Sequence, residues 1–309
     1  MTQVNMQQVK ELRDRTQAGI NDCRSAIIEA NGDMDRAVDI ILKKGLAKSA
    51  KRAGAVAAEG EVSALVAKDR SGGVIIEVNI QTDFAARNDD FKAFVKNVAI
   101  VAAKAPSDSD LGKLPYPEGG GAVEEVRQAL VGKLGENITL RRWAKITVES
   151  GLVHSYVHMG GKIGVLLALK LGDAGKAIEA AALKFADDTA MQIAAMAPTY
   201  LAIADIPDEA RLKQVEIFEA QLAEEGKPEA ARPKIIEGKI AKWAKEVCLL
   251  EQVSVLEVDK TIAQVLIDLV KALGTDVAIK GFVRFQLGEG IEKKKSDDFA
   301  TEVMKMSQS

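Results

Sequence analysis

Two cysteines and two histidines in 309 residues leave little for metal or redox chemistry to work with. Cys23 and Cys248 lie far apart and form no CxxC, so neither a disulfide framework nor a cysteine-rich zinc site is indicated, and a reducing cytoplasm is the expected setting. Met1 to Val9 is polar where a secretory signal would carry an apolar core. No apolar run approaches the ~20 residues that span a bilayer. One-sided charge is missing too: 42 Lys and Arg against 45 Asp and Glu give a formal charge of −3, too even for a chain whose main task is coating nucleic acid. What is abundant is ordinary for a globular protein, with 47% apolar and 28% charged residues. At about 100–200 residues per domain, the length suits two domains, or three small ones.

Motifs of catalysis are also scarce. His154 and His158 have the i, i+4 spacing that binds zinc on a helix, but their surroundings read as a strand. At about 3.3 Å per residue they would stand roughly 13 Å apart, too far to share an ion. Gly132-Lys133, Gly161-Lys162 and Gly238-Lys239 lack the rest of a phosphate-binding loop, and Gly288-Glu289-Gly290 lacks the third glycine of a dinucleotide fingerprint. The acidic pairs Asp89-Asp90, Asp187-Asp188 and Asp297-Asp298 suit helix starts or solvated faces. No cofactor, no metal and no chemical catalysis are expected.

The pattern of apolar residues divides the chain. Val9, Leu12, Ile20, Cys23, Ala26, Ile27, Ala37, Ile40 and Ile41 make three short helices, with Asn31-Gly32 turning, Asp33 capping and Gly45 stopping the last. Lys48 to Ala58, rich in Ala and Lys, reads as a tether, helical or not. Val62–Ala67 and Val74–Ile80 flank the turn signal Arg70-Ser71-Gly72-Gly73 and form a hairpin. Ile76, Val78 and Ile80 share its buried face while Glu77 and Asn79 share the other. A helix carrying Phe91, Phe94, Val95 and Val98 follows, then a loop rich in Pro and Gly over 106–121.

The pattern then returns. Gly151-Leu152-Val153 echoes Gly60-Glu61-Val62, and Gly164-Val165 echoes Gly73-Val74, both 91 positions on (151 − 60 and 164 − 73). IAAMAPT at 193–199 echoes VAAKAPS at 101–107, so a hairpin-plus-helix unit reads as duplicated. Leu212, Val215, Phe218 and Leu222, then Ile236, Ile240, Trp243 and Val247, lie at helical intervals on either side of Gly226-Lys227-Pro228. They predict an antiparallel helical hairpin that either projects or packs on the body. Val283, Phe285 and Leu287 mark a last strand, and Ser296 can cap a final helix whose Phe299, Val303 and Met304 share a face.

The most specific string is Ile80-Gln81-Thr82-Asp83-Phe84-Ala85-Ala86-Arg87-Asn88. Together with TQAGINDCR at 16–24, GENI at 135–138, IGVL at 163–166, EVCL at 246–249 and FVRFQLGEGIEK at 282–293, it makes the chain resemble the bacterial elongation factor Ts family from end to end. The resemblance implies an α+β fold. Its parts are a ubiquitin-associated-like three-helix domain at 1–46, a linker at 47–58 and a core N-subdomain at 59–149 with the 106–121 insertion. A related core C-subdomain follows at 150–206 and 249–288, with a projecting coiled-coil hairpin at 207–248 and a C-terminal module with its helix at 289–309.

It implies guanine nucleotide exchange on elongation factor Tu, bound in its GDP and nucleotide-free forms, with no membrane and no direct nucleic-acid partner. The family positions that enter the GTPase and dislodge Mg²⁺ match Thr82, Asp83, Phe84 and Ala85; those that dock the first domain match Arg13, Ile20 and Asn21; His158 falls in a further contact region. The coiled coil would meet either a second copy, making a homodimer, or the GTPase. The chain departs from the family at Gln17, commonly Gly, at Ile20 and Asn21, commonly Met, at Arg24, commonly Lys, and at Ala85, often Val.

Without the family, Asp83 reads as a helix cap and Phe84 as a core residue. Two rival functions remain. One is an RNA- or ribosome-binding module using Lys48 to Arg52 and Arg141-Arg142; the other is an enzyme with an unrecognised site.

Overall fold

Short amphipathic helices cannot bury enough surface singly, and the first three solve this by packing on one another. The computed structural model describes residues 5–16, 18–117 and 121–292. Helices α1 (Met6–Thr16), α2 (Ile20–Glu29) and α3 (Met34–Arg52) enclose Val9, Leu12, Cys23, Ala26, Ile27, Ala37 and Ile41. Asn31 and Gly32 take positive φ at the turn, and the Asp33 carboxylate accepts from the N–H groups of Asp35 and Arg36.

Gly45 does not end α3, contrary to expectation; the helix continues to Arg52, into the segment read as a tether. It continues because α6 (Val123–Leu134) lies against it. A methyl group on Gly132 would come within 3.0 Å of the Gly45 Cα, so the two glycines mark a close helix crossing rather than a stop.

Two three-stranded antiparallel sheets form the body. One has the order β1 (Glu59–Val66), β2 (Gly72–Ile80), β3 (Ile138–Thr147); the other has β4 (Gly151–His158), β5 (Ile163–Leu171), β6 (Val277–Gln286). Helices α5 (Asp89–Lys104) and α6 cover the outer face of the first sheet, meeting Val74, Ile76, Val78 and Ile80. Helices α7 (Ala180–Met196) and α10 (Ile262–Leu273) cover the second, meeting Val165, Leu167, Leu169 and Leu171.

The inner faces pack on each other through Val62, Ile75, Val153, Leu166, Ala168 and Phe285. The face of β2 that carries Glu77 and Asn79 is therefore buried as well, which the alternation alone did not indicate; both residues are 1% exposed.

The duplication extends to backbone irregularities. Gly60 and Gly151 both adopt strongly positive φ, +129° and +142°. A Cβ would collide with the carbonyl of Val78 at the first and of Leu169 at the second. The β2–β3 bulge falls between Glu77 and Val78 and the β5–β6 bulge between Ala168 and Leu169, again 91 positions on (168 − 77).

Helices α8 (Asp208–Glu224) and α9 (Arg232–Val247) form the expected hairpin around Val215, Phe218, Leu222, Ile236, Ile240 and Trp243. Leu212, expected in this stripe, is 64% exposed. At 3.6 residues per turn it stands roughly 80° around the axis from Leu222. Helix α8 packs chiefly on α9, and the hairpin joins the body at its base, where the Val247 carbonyl accepts from the N–H groups of Thr199 and Tyr200. Ser296, Asp297, Asp298, Phe299, Val303 and Met304 lie outside the described residues.

Between the sheets, the Glu77 carboxylate is wholly buried. It takes Arg141 Nη1 at 2.8 Å, Arg142 Nε at 2.6 Å, the Gly288 N–H at 2.8 Å and Asn79 Nδ2 at 3.1 Å. Neighbouring residues of a regular strand face opposite ways. Arg141 is the extra residue of the β3 bulge, opposite no residue of β2, so two consecutive arginines reach one carboxylate. Burial would push the Glu77 carboxyl up, but the Gly288 N–H, the two guanidinium groups and Asn79 outweigh it and hold the group below the usual carboxylate range.

A lowered folded value contributes stability that is complete above the unfolded value of about 4.5 and lost as pH falls through the folded one. Glu77→Ala is expected to destabilise the fold by about 3 kcal/mol, because Arg141 loses its counter-charge and Arg142 keeps only Glu289. It should also flatten the acid limb of the stability curve below about pH 4.5, measured by urea denaturation as a function of pH.

Candidate functional site

The turn after β2 is where the sequence places its most specific string. Thr82 is extended and its hydroxyl accepts from the Ala85 N–H at 3.2 Å, capping the four-residue helix α4 (Asp83–Ala86). The cap is thus Thr82, one residue earlier than the reading made without the family, and Asp83 lies in the first turn. Arg87 Nη2 pairs with Asp83 Oδ2 at 2.9 Å across one helical turn. A helix of four residues is unstable alone. It is braced from outside: Glu136 accepts from the Thr82 N–H at 2.9 Å and from its hydroxyl at 2.7 Å. Gln81 Oε1 accepts from the Asn137 N–H at 2.7 Å, and Asn137 Nδ2 donates to the Ala55 carbonyl. The strings at 80–88 and 135–138 therefore interlock in space.

On this braced turn Phe84 is 81% exposed, which contradicts a core-packing role. Burying a phenylalanine is worth about 1.5–3 kcal/mol, and here that gain is left unused. Met159, 71% exposed and at positive φ, begins the β4–β5 turn across a cleft of about 730 Å³. Glu59, Glu61, Thr82, Asp83, Phe84, Lys92, Met159 and Lys162 are among its lining residues. Two large apolar side chains thus border one polar-walled hollow. His158 precedes this turn, exposed and bonded through Nδ1 to the Tyr156 hydroxyl at 2.9 Å. The fold therefore brings His158's turn and residues 82–84 to the same cleft.

Arg13, Ile20 and Asn21 are all exposed, flanking the connection between α1 and α2, and Ile20 is 50% exposed. Ala85 is half-buried against the first sheet's core. Gln17 lies outside the described residues. Sequence reasoning gave no role to Glu136 or to the Met159–Gly160 turn. Glu136 sits inside a quoted family string, which was the available signal. The turn carries no motif of its own.

Other chemistry finds little support. His154 lies in β4 with its Nε2 3.0 Å from Asp187 Oδ1, apart from His158. Among the described residues no group of His, Cys, Asp and Glu could hold a metal ion. Cys23 and Cys248 are buried, and burial pushes both thiols up, away from reactivity. Arg141 and Arg142, offered as part of a basic RNA-binding patch, are engaged with Glu77, and Arg142 also contacts Glu289 and stacks over the Phe285 ring. Among the described residues no helix is long and apolar enough to cross a membrane.

A sequence model of the family described as Elongation factor TS matches residues 81–289. The elongation factor Ts of Clostridium perfringens is 46% identical over 299 residues, covering 96% of this chain and 97% of that protein. The elongation factor Ts of Clostridium acetobutylicum is 45% identical over 302 residues, 97% of each chain. That of a Nitratiruptor species is 47% identical over 304 residues, covering 97% of this chain and 98% of its own.

The exposure of Phe84 has a direct consequence for stability. Phe84→Ala is expected to change the free energy of unfolding by less than about 0.5 kcal/mol. Phe91→Ala, which empties a fully buried site on α5, should cost about 3–5 kcal/mol in the same denaturant titration.

Proposed function

The chain belongs to the elongation factor Ts family, and from that premise we propose that it is the guanine nucleotide exchange factor of the translation GTPase elongation factor Tu. The observation that carries this reading is an aromatic ring held in solvent on a short, externally braced helix, at the position that matches the family's wedge. Arg13, Ile20 and Asn21 dock the three-helix domain on the GDP form. The Thr82–Ala85 turn then enters the GTPase beside the elements supporting its magnesium site.

The mechanism is mechanical. Phe84 displaces groups that hold Mg²⁺ in the GTPase, with Asp83 beside it and Thr82 fixing the turn. Loss of the ion removes charge compensation at the β-phosphate, and GDP leaves. The factor then stabilises the nucleotide-free GTPase until GTP binds. No bond is made or broken on this chain, so a nucleotide site here is unnecessary. By linkage, the factor weakens GDP binding by the same ratio as GDP weakens factor binding.

Two features favour this reading over an RNA-binding one. Among the described residues the most exposed aromatic lies on the braced turn, where the nearby Arg87 and Lys162 are paired with Asp83 and Glu59, and the Arg141-Arg142 pair is neutralised internally. The α8–α9 hairpin, joined to the body at its base, is the proposed coiled-coil module.

Release of fluorescent GDP from elongation factor Tu tests the proposal, with this protein in catalytic amounts. Wild type should accelerate release and excess Mg²⁺ should oppose it. Phe84→Ala should lose roughly 10–100-fold of the acceleration, the equivalent of burying one phenylalanine only in the exchange complex. A folded wild-type sample that leaves the release rate unchanged would refute the proposal.

A further inference from the structure

The cleft beside Phe84 holds a charge that the wedge does not use. Of the charged side chains lining it, Glu59 is paired with Lys162 at 2.9 Å and Asp83 with Arg87 at 2.9 Å. Glu61, on β1, is half-buried and has neither a hydrogen bond nor an ion pair from its side chain to any of the described residues. Its stem is fixed against the β4–β5 turn: Gly161 has φ +92°, and a Cβ there would come within 2.5 Å of the Glu61 Cγ. Burial pushes the Glu61 carboxyl up, and the field of Lys92, which forms no ion pair with it, offsets only part of that effect. A half-buried carboxylate in the free protein is thus left with incomplete compensation, at the edge of a hollow large enough to admit a side chain.

We infer that Glu61 is the receptor for a lysine or arginine side chain of the GTPase, which enters this cleft as Phe84 enters the GTPase. The inference rests on the exchange reading, and it makes the contact reciprocal, with one apolar group given and one cation received. The occupant is cationic because the carboxylate already positioned there lacks a counter-charge, and because Glu59 and Asp83 are held by cations of this chain. A buried charge pair completed only on association favours the correct partner and penalises one that leaves Glu61 unmatched.

Glu61→Gln keeps the shape and removes the charge. It is expected to weaken binding to nucleotide-free elongation factor Tu about tenfold, with a shallower dependence of affinity on salt concentration. Its thermal midpoint should equal or exceed that of wild type, since a half-buried, incompletely compensated charge is gone. Lys92→Ala should bind as well as wild type or better. Affinity of Glu61→Gln within twofold of wild type would overturn the inference. So would a fall in its melting temperature, which would make Glu61 part of an internal pair with Lys92. Wild type is measured first for GDP release: failure there removes the exchange reading itself, whereas full wild-type exchange with an unaffected Glu61→Gln removes only the cleft contact.

Discussion

One buried carboxylate ties the two sheets together. Glu77 stands on the inner face of β2, where an unpaired charge would be strongly unfavourable, and is stabilised by donors from β2, from β3 and from the turn after β6. The bulge in β3 makes this possible by giving two consecutive arginines access to the same group. Gly288 closes the arrangement. It sits at φ +70° with the Ala58 carbonyl where a side chain would be, so the segment after β6 lies on the entrance to β1. Chain segments more than two hundred positions apart are thereby fixed around one carboxylate.

This rigidity matters for the turn at 82–87. A four-residue helix with an exposed phenylalanine has no stability of its own. It keeps its shape because Thr82 and Gln81 are bonded to Glu136 and Asn137, which lead directly into β3. The ring is therefore presented in one place at little cost on association, since the ordering has occurred in the folding of the core. The apolar gain left unused by the free protein becomes available only when a partner covers the ring.

The duplicated unit shows how one scaffold acquires a one-sided function. Thr82 caps α4, and 91 positions on (173 − 82) Asp173 caps a short 3₁₀ turn by accepting from the Gly175 N–H. The backbone device is the same in both copies. Where the first presents Asp83-Phe84, the second has Ala174-Gly175 at the matching positions, with no aromatic there. The glycine positions, bulges and caps are shared because they solve the same steric problem in each sheet, while the exposed residues differ because nothing in the fold constrains them.

Much of the architecture was legible along the chain because it depends on local periodicity. The three opening helices, the hairpin at Arg70–Gly73, the helix at Phe91–Val98 and the antiparallel pair around Gly226 follow from spacings of two, three and four, and the 91-residue repeat from strings that return at one offset. The string around Thr82–Ala85 was identifiable as well, but its exposure was not: a phenylalanine next to a helix start reads as core until the surrounding packing is known. Tertiary structure decided that Phe84 stands in solvent, that Gly45 is a crossing point rather than a stop, and that the polar face of β2 is buried. It also decided that Arg141 and Arg142 neutralise Glu77 instead of forming a basic patch. Each of these depends on what lies on the far side of a residue, on α6, on the second sheet or on the end of β6. Periodicity records which face a side chain occupies, but not what covers that face.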